Sequence, residues 1–372
     1  MNDRFWGKKV VSGVLVAGSI ILTPAPRNSS VQAKPTNPLE IEIDSTDPVI
    51  PLGYQRRKLS TFEINRIQRE MARLDRDAGD KLRQGDGNKA FTLWYRQLKL
   101  ARVLGEEREI IALGKVGKIA WSANRAQDVR NIANRLLAIE STMELQSPPL
   151  RQLQQLATAY QQVRYLERAI AIYQKISQSD QLRQNLAARV NNQQILGELY
   201  LAQFNYPAAA AIYEELLALA QDESPSSSTT HSLLITLAEI YDRTGQTTQA
   251  ISTKKNLVRS YTTTNQTEKL AQLELAIAEN YQTLSQTPKA ISAYEQAFTL
   301  ALAEQQLAIA SDVLSKLAQL YQREGENQQA ISTYRRLLQV QSQSYNYYGL
   351  INTHDTLGNI YLQLDRTQQA RK

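Results

Sequence analysis

A phrase made of Leu or Ile, a small residue and Tyr recurs along this chain at a nearly constant interval. Its first Leu or Ile stands at Leu156, Leu196, Leu237, Ile277, Leu317 and Leu357, in steps of 40, 41, 40, 40 and 40. A fixed period in this range constrains the fold strongly, because each unit is one supersecondary piece that can bury its apolar face only against its neighbours. The expected architecture is a solenoid.

The residue types in the phrase specify helix hairpins. One residue after each Leu or Ile comes a small one, Ala157, Gly197, Ala238, Ala278, Ala318 and Gly358, which lets two helices approach closely. Four after it comes Tyr each time, at Tyr160, Tyr200, Tyr241, Tyr281, Tyr321 and Tyr361. Leu and Tyr one turn apart share a helix face. A polar turn follows, with Gly245 and Gly325 in two copies, and then Ala169, Ala209, Ala250, Ala290, Ala330 and Ala370. One further turn on stand Tyr173, Tyr213, Tyr294 and Tyr334, with Lys254 as the exception. Weaker copies precede, at Val116-Gly117 with Val129 and Ala133, and at Ala78, Gly85, Ala90 and Trp94. The pattern gives seven helix hairpins and an eighth that stops at Arg371-Lys372 as its second helix begins. That last unit leaves apolar surface uncovered, so a mobile C-terminus or self-association through it is expected.

With 42% apolar and 21% charged residues the chain can bury a core. Helical writing begins at Ser60, which can cap the free N–H groups while Glu63 answers from three residues on. From there to residue 372 there is little Pro and no strand alternation, so an all-α repeat domain is expected over 60–372. Residues 34–59 are rich in Pro and β-branched residues without helical period, and are expected to form an extended linker that adds little to the core. Ahead of them, basic Arg4, Lys8 and Lys9, the apolar run VVSGVLVAGSIILT at 10–23 and small residues to Ala33 read as a secretory signal peptide, 1–33. An uncleaved anchor is the alternative, but 14 residues of helix span roughly 21 Å, short of a hydrocarbon core of about 30 Å. Export to a periplasm or equivalent lumen follows. The sequence has no Cys, so the exported chain is held by packing, without disulfides.

These repeats resemble the tetratricopeptide repeat over residues 61–372: a large apolar residue, a small one, an aromatic, a turn, a small Ala and a further aromatic. The family's period is about 34, and here six more residues lie between the end of one hairpin and the core of the next, as in 337–357. That lengthening resembles the long-repeat branch found in kinesin light chains, to whose signature Leu357-Gly358-Asn359-Ile360-Tyr361 is similar, and secreted bacterial members of the class. HEAT and armadillo units share the ~40-residue period, but not this small-residue and Tyr spacing. The resemblance implies a right-handed α-solenoid of about seven to eight antiparallel helix hairpins, with a concave groove lined by the first helix of each hairpin, where partner peptides lie.

The resemblance also places the residue two beyond each Leu or Ile in that groove: Thr158, Glu198, Glu239, Glu279, Gln319 and Asn359. Such a row can bind an extended peptide backbone or cationic side chains by charge-assisted hydrogen bonds, or be no more than a soluble helix surface. It would repel the carboxylate tails that chaperone-tail-binding members clamp with Lys and Asn. Tyr345, Tyr347 and Tyr348 are candidates for a binding hot spot, although packing of the lengthened helices is the favoured reading.

Residues 51–140 carry 19 Lys and Arg against 11 Asp and Glu, whereas 141–372 carry 19 against 20. Arg56, Arg57, Lys58, Arg66, Arg69, Arg73 and Arg76 are candidates for contact with an anionic surface, a solvated helix face being the default. Export makes nucleic acid the least suitable partner. With His231 and His354 far apart and no Cys, no metal site, cofactor or nucleophile–base pair is expected. Asp75, Asp77 and Asp80 fail the calcium-loop pattern, because the glycine falls one place early, at Gly79. The function expected is a non-enzymatic interaction scaffold that binds a protein or peptide in its groove, in assembly or maintenance of an envelope complex. The alternative is a structural protein that docks to a membrane surface through its basic N-terminal hairpins.

Overall fold

A computed structural model describes residues 37–40, 47–144, 148–179, 185–223 and 228–370. The expected signal peptide lies outside these residues. Among them there is no strand, and the helices follow as hairpins: α1 (Thr61–Arg83) with α2 (Gly87–Val103), α3 (Glu106–Ser122) with α4 (Ala126–Glu144), and α5 (Leu150–Gln162) with α6 (Leu166–Ser177). Next come α7 (Leu186–Ala202) with α8 (Tyr206–Glu223), α9 (Ser228–Arg243) with α10 (Thr247–Thr263), and α11 (Leu270–Thr283) with α12 (Thr287–Ala303). The series closes with α13 (Leu307–Arg323) and α14 (Asn327–Gln343), then α15 (Tyr347–Gln363) and the single turn α16 (Thr367–Ala370).

Each hairpin bends at a residue of positive φ: Gly85, Asn124, Arg164, Phe204, Gly245, Ser285, Gly325 and Asp365. The residue after it donates its N–H to a carbonyl five back in the first helix, and in six hairpins that carbonyl belongs to the repeated Tyr, as in Gln286 N to Tyr281 O at 2.9 Å. This closure satisfies orphan carbonyls at a helix end and fixes the reversal. Asn265, Gln305 and Tyr345 repeat the device between hairpins. The lengthening of the repeat is therefore no insert between hairpins. From α12 to α15 each helix has 17 residues and each turn three, so the additional residues extend the helices.

The repeated positions form the core. Leu156, Leu196, Leu237, Ile277, Leu317 and Leu357 are buried, as are Ala169, Ala209, Ala250, Ala290 and Ala330. The small position is enforced by contact: a Cβ on Gly197 would meet the Tyr213 ring of the partner helix at 2.9 Å. The first Tyr also links hairpins through its hydroxyl, which accepts from Gln174 Nε2 at Tyr200 (2.7 Å), from Lys255 Nζ at Tyr281 (2.7 Å) and from Arg335 Nη2 at Tyr361 (2.9 Å). Each donor belongs to the second helix of the preceding hairpin.

Two features depart from the sequence expectation. The arm contributes to the core: Leu39 and Ile50 are buried, Asn37 Nδ2 donates to Asn131 O at 3.0 Å, and Asp47 accepts from Arg96 Nε at 2.8 Å. Pro38 and Pro48 lie in short turns along the first two hairpins. The packing of successive first helices is also uneven. At Gly114 and Gly117 helix α3 presses directly on α5, where a Cβ on Gly114 would meet the Ala159 backbone at 3.0 Å and one on Gly117 would collide with Val163.

Candidate functional site

Between α11 and α13, with α12 as its floor, lies an open cavity of about 820 Å³. Its walls are Glu279, Gln282 and Thr283 of α11, Tyr294 of α12, and Lys316, Gln319, Gln322 and Arg323 of α13. Six of these form three pairs forty residues apart, Glu279 with Gln319, Gln282 with Gln322 and Thr283 with Arg323, so equivalent positions of two repeats face one space.

The Glu279 carboxylate and the Lys316 ammonium are paired at 2.7 Å, and this bond holds the Lys316 pKa above its ordinary value. The Gln282 amide is oriented so that its oxygen accepts from Arg323 Nη1 at 3.0 Å and its nitrogen donates to the Tyr294 hydroxyl at 2.9 Å. Burial, reinforced by the charge of Glu279, pushes that phenol up to about 12, so it stays neutral. Gln322 Oε1 accepts from the Tyr334 hydroxyl at 3.4 Å, the same register one repeat on. The cavity thus combines amides, two hydroxyls, a guanidinium and a compensated ion pair, and offers both donors and acceptors to a ligand.

Of the six expected groove residues, the cavity takes Glu279 and Gln319. Glu198, Glu239 and Asn359 are exposed and do not line it. Thr158 donates to the Gln154 carbonyl at 2.8 Å and lies 3.2 Å from the Tyr173 hydroxyl. Sequence reasoning missed Gln282, Gln322, Lys316 and Arg323, although the amides repeat at forty residues and could have been read by the same alignment.

The basic residues divide. Arg57 is held by Glu63 and Arg73 by Glu70 and Asp77, while Arg66 Nη2 donates to the Val49 carbonyl at 2.9 Å. Arg56, Lys58, Arg69 and Arg76 are exposed. Tyr345, Tyr347 and Tyr348 are exposed too, against the packing reading, since they lie in the turn before α15 and at its start, away from its buried face. Asp75 accepts from Trp94 Nε1 and pairs with Lys115, Asp77 pairs with Arg73 and Asp80 with Arg83. Among the described residues no group of three or more His, Asp or Glu could hold a metal ion.

One nucleophile–base geometry does occur. His231 Nε2 lies 2.7 Å from Ser260 Oγ, a pair hidden in the sequence by a separation of 29 positions. Both side chains are buried between α9 and α10, and the His231 ring sits 4.8 Å from that of Tyr261, which marks the pair as a packing contact. Burial, with the charge of Lys269, lowers the His231 pKa. The unfolded chain therefore takes up this proton first, and the stability tied to neutral His231 is complete above about pH 6.5 and falls below it. Urea titrations at a series of pH values should show this decline, and His231→Gln should flatten it.

In comparisons with known proteins, the family model of soluble NSF attachment protein matches residues 197–347. No curated protein sequence matches the chain. Among solved structures, BtubC (BKLC) from P. vanneervenii is similar at 20% identity, covering 57% of this chain and 86% of its own, with a TM-score of 0.39. A putative kinesin light chain of Podosopora anserina with nearly identical TPR-like repeats is 20% identical over 52% of this chain and 96% of its own, TM-score 0.38. The apo form of RapI is 11% identical over 79% and 82%, TM-score 0.40. The hairpin register settles the class. The chain is an α-solenoid of antiparallel helix hairpins. Within it, the forty-residue register of the hairpins explains why one cavity receives equivalent side chains from two repeats.

Proposed function

We propose that the protein is a non-enzymatic interaction scaffold that receives an extended segment of a partner protein in the cavity between α11 and α13. The observation that carries this reading is the repetition within the site: Gln282 with Gln322 and Glu279 with Gln319 present like groups at successive repeats, and an extended peptide presents its own carbonyls and N–H groups at a regular spacing. The compensated Glu279–Lys316 pair suits a backbone better than a highly charged ligand. The signal-peptide-like N-terminus supports work outside the cytoplasm, in a periplasm or equivalent lumen, and a scaffold there serves the assembly or maintenance of an envelope complex.

The test is a peptide array, followed by fluorescence anisotropy on its binders. Replacing Gln282, Gln319 and Gln322 together by Ala should weaken binding by about ten-fold or more, given net hydrogen-bond contributions near 1 kcal/mol each, while leaving the helical circular dichroism unchanged. Equal binding by this variant, or no binder on the array, would overturn the proposal.

A further inference from the structure

The segment that leads into α1 sorts its side chains in two directions. Ile50 and Pro51 are buried, and Tyr54 and Leu59 pack with Ile67, Leu74 and Leu100. Leu52 and Phe62 instead point outward, 86% and 69% exposed, and between them in sequence lie exposed Arg56, Arg57 and Lys58. The tip is held rigidly. Gly53 has φ +68°, Arg56 N donates to Gly53 O at 2.9 Å, and Ser60 and Glu63 form a reciprocal cap on α1. Glu63 is occupied both by this cap and by Arg57, which hold its carboxyl well below the usual range. It therefore offsets one of the three cations, and among the described residues Arg56 and Lys58 have no ion-pair partner.

Two outward apolar side chains flanking a cationic cluster on a preorganised turn have the chemistry of a peripheral membrane contact, in which the apolar tips enter the headgroup boundary and the cations meet anionic lipid. We infer that this tip, Leu52 to Phe62, docks the solenoid onto an anionic bilayer surface. No described helix is long and apolar enough to cross a membrane. The charge of the chain supports the orientation: residues 51–140 carry the excess of cations, and 141–372 are nearly balanced. Docked at its first hairpin, the molecule holds the cavity between α11 and α13 away from the bilayer. Phosphate binding alone would leave Leu52 and Phe62 without a role.

Because the chain has no cysteine, Leu52→Cys in the full chain takes a single environment-sensitive dye at the tip, where the apolar run at 10–23 does not contribute to the signal. Vesicles containing phosphatidylglycerol, at low salt, should shift the emission to the blue, and vesicles of phosphatidylcholine alone should not. Arg56→Glu with Lys58→Glu should reduce the apparent affinity about ten-fold or more, and high salt should do the same. Phe62→Ser should reduce the shift without changing the fold, since its ring is exposed. Absence of a shift on anionic vesicles, or a shift untouched by the charge variants, would overturn the inference. Sensitivity to charge without any blue shift would also overturn it, and would assign the tip to an acidic protein.

Discussion

Asp242→Ala should lower the unfolding free energy by about 3 kcal/mol, the low end of what breaking a buried ion pair costs. Lys254 stands at the register where the repeats on either side have Tyr213 and Tyr294, and its side chain is only 7% exposed. Its ammonium is held by both carboxylate oxygens of Asp242, at 2.9 and 2.7 Å, and Asp242 also accepts from Asn280 Nδ2 at 3.0 Å. Removing Asp242 strands a buried charge and an amide together. Asp242 itself is 40% exposed, so water relieves part of the loss. Lys254→Tyr with Asp242→Gln would rebuild the Tyr294–Gln282 pair of the next repeat, and should match or exceed the parent in urea denaturation. A double variant as weak as Asp242→Ala would show that the site needs its charges.

Trp94→Ala should cost about 3–5 kcal/mol, as removal of a large buried aromatic does. The indole is 2% exposed, meets Phe91 edge-on with centroids 4.9 Å apart, and donates from Nε1 to Asp75 Oδ1 at 3.1 Å. Asp75 in turn pairs with Lys115 of α3, so the loss reaches the second hairpin. In a solenoid, stability is a sum of units and nearest-neighbour interfaces. Hydrogen exchange should therefore quicken across α1 to α3 and remain near the parent rate in α11 to α14. Uniform acceleration along the chain would mean that the repeats unfold as one cooperative block.

The period made the hairpins legible because Leu317, Ala318 and Tyr321 occupy fixed places on one helix face, and their equivalents do so in the other copies from Leu156 to Leu357. The turns were less legible: Gly245 and Gly325 announce a left-handed residue, but Arg164, Phe204 and Ser285 adopt the same backbone without the glycine that would signal it. The packing of the arm depends on contacts as distant in sequence as Asn37 with Asn131. At the site, the alignment found Glu279 and Gln319 through their shared register. It could not find that Lys316 neutralises Glu279, nor that Gln282 is fixed between Tyr294 and Arg323, because those facts depend on how neighbouring helices are placed.

The alternation of 17-residue helices and three-residue turns also bears on how such a chain can lengthen or shorten. One residue gained or lost inside a helix turns everything beyond it by about 100°, carrying the buried Leu and Tyr of that hairpin toward solvent. A whole unit of two helices and two turns leaves every later residue in phase. Along α12 to α15, length changes that keep this phase come in steps of forty residues, each adding one complete hairpin.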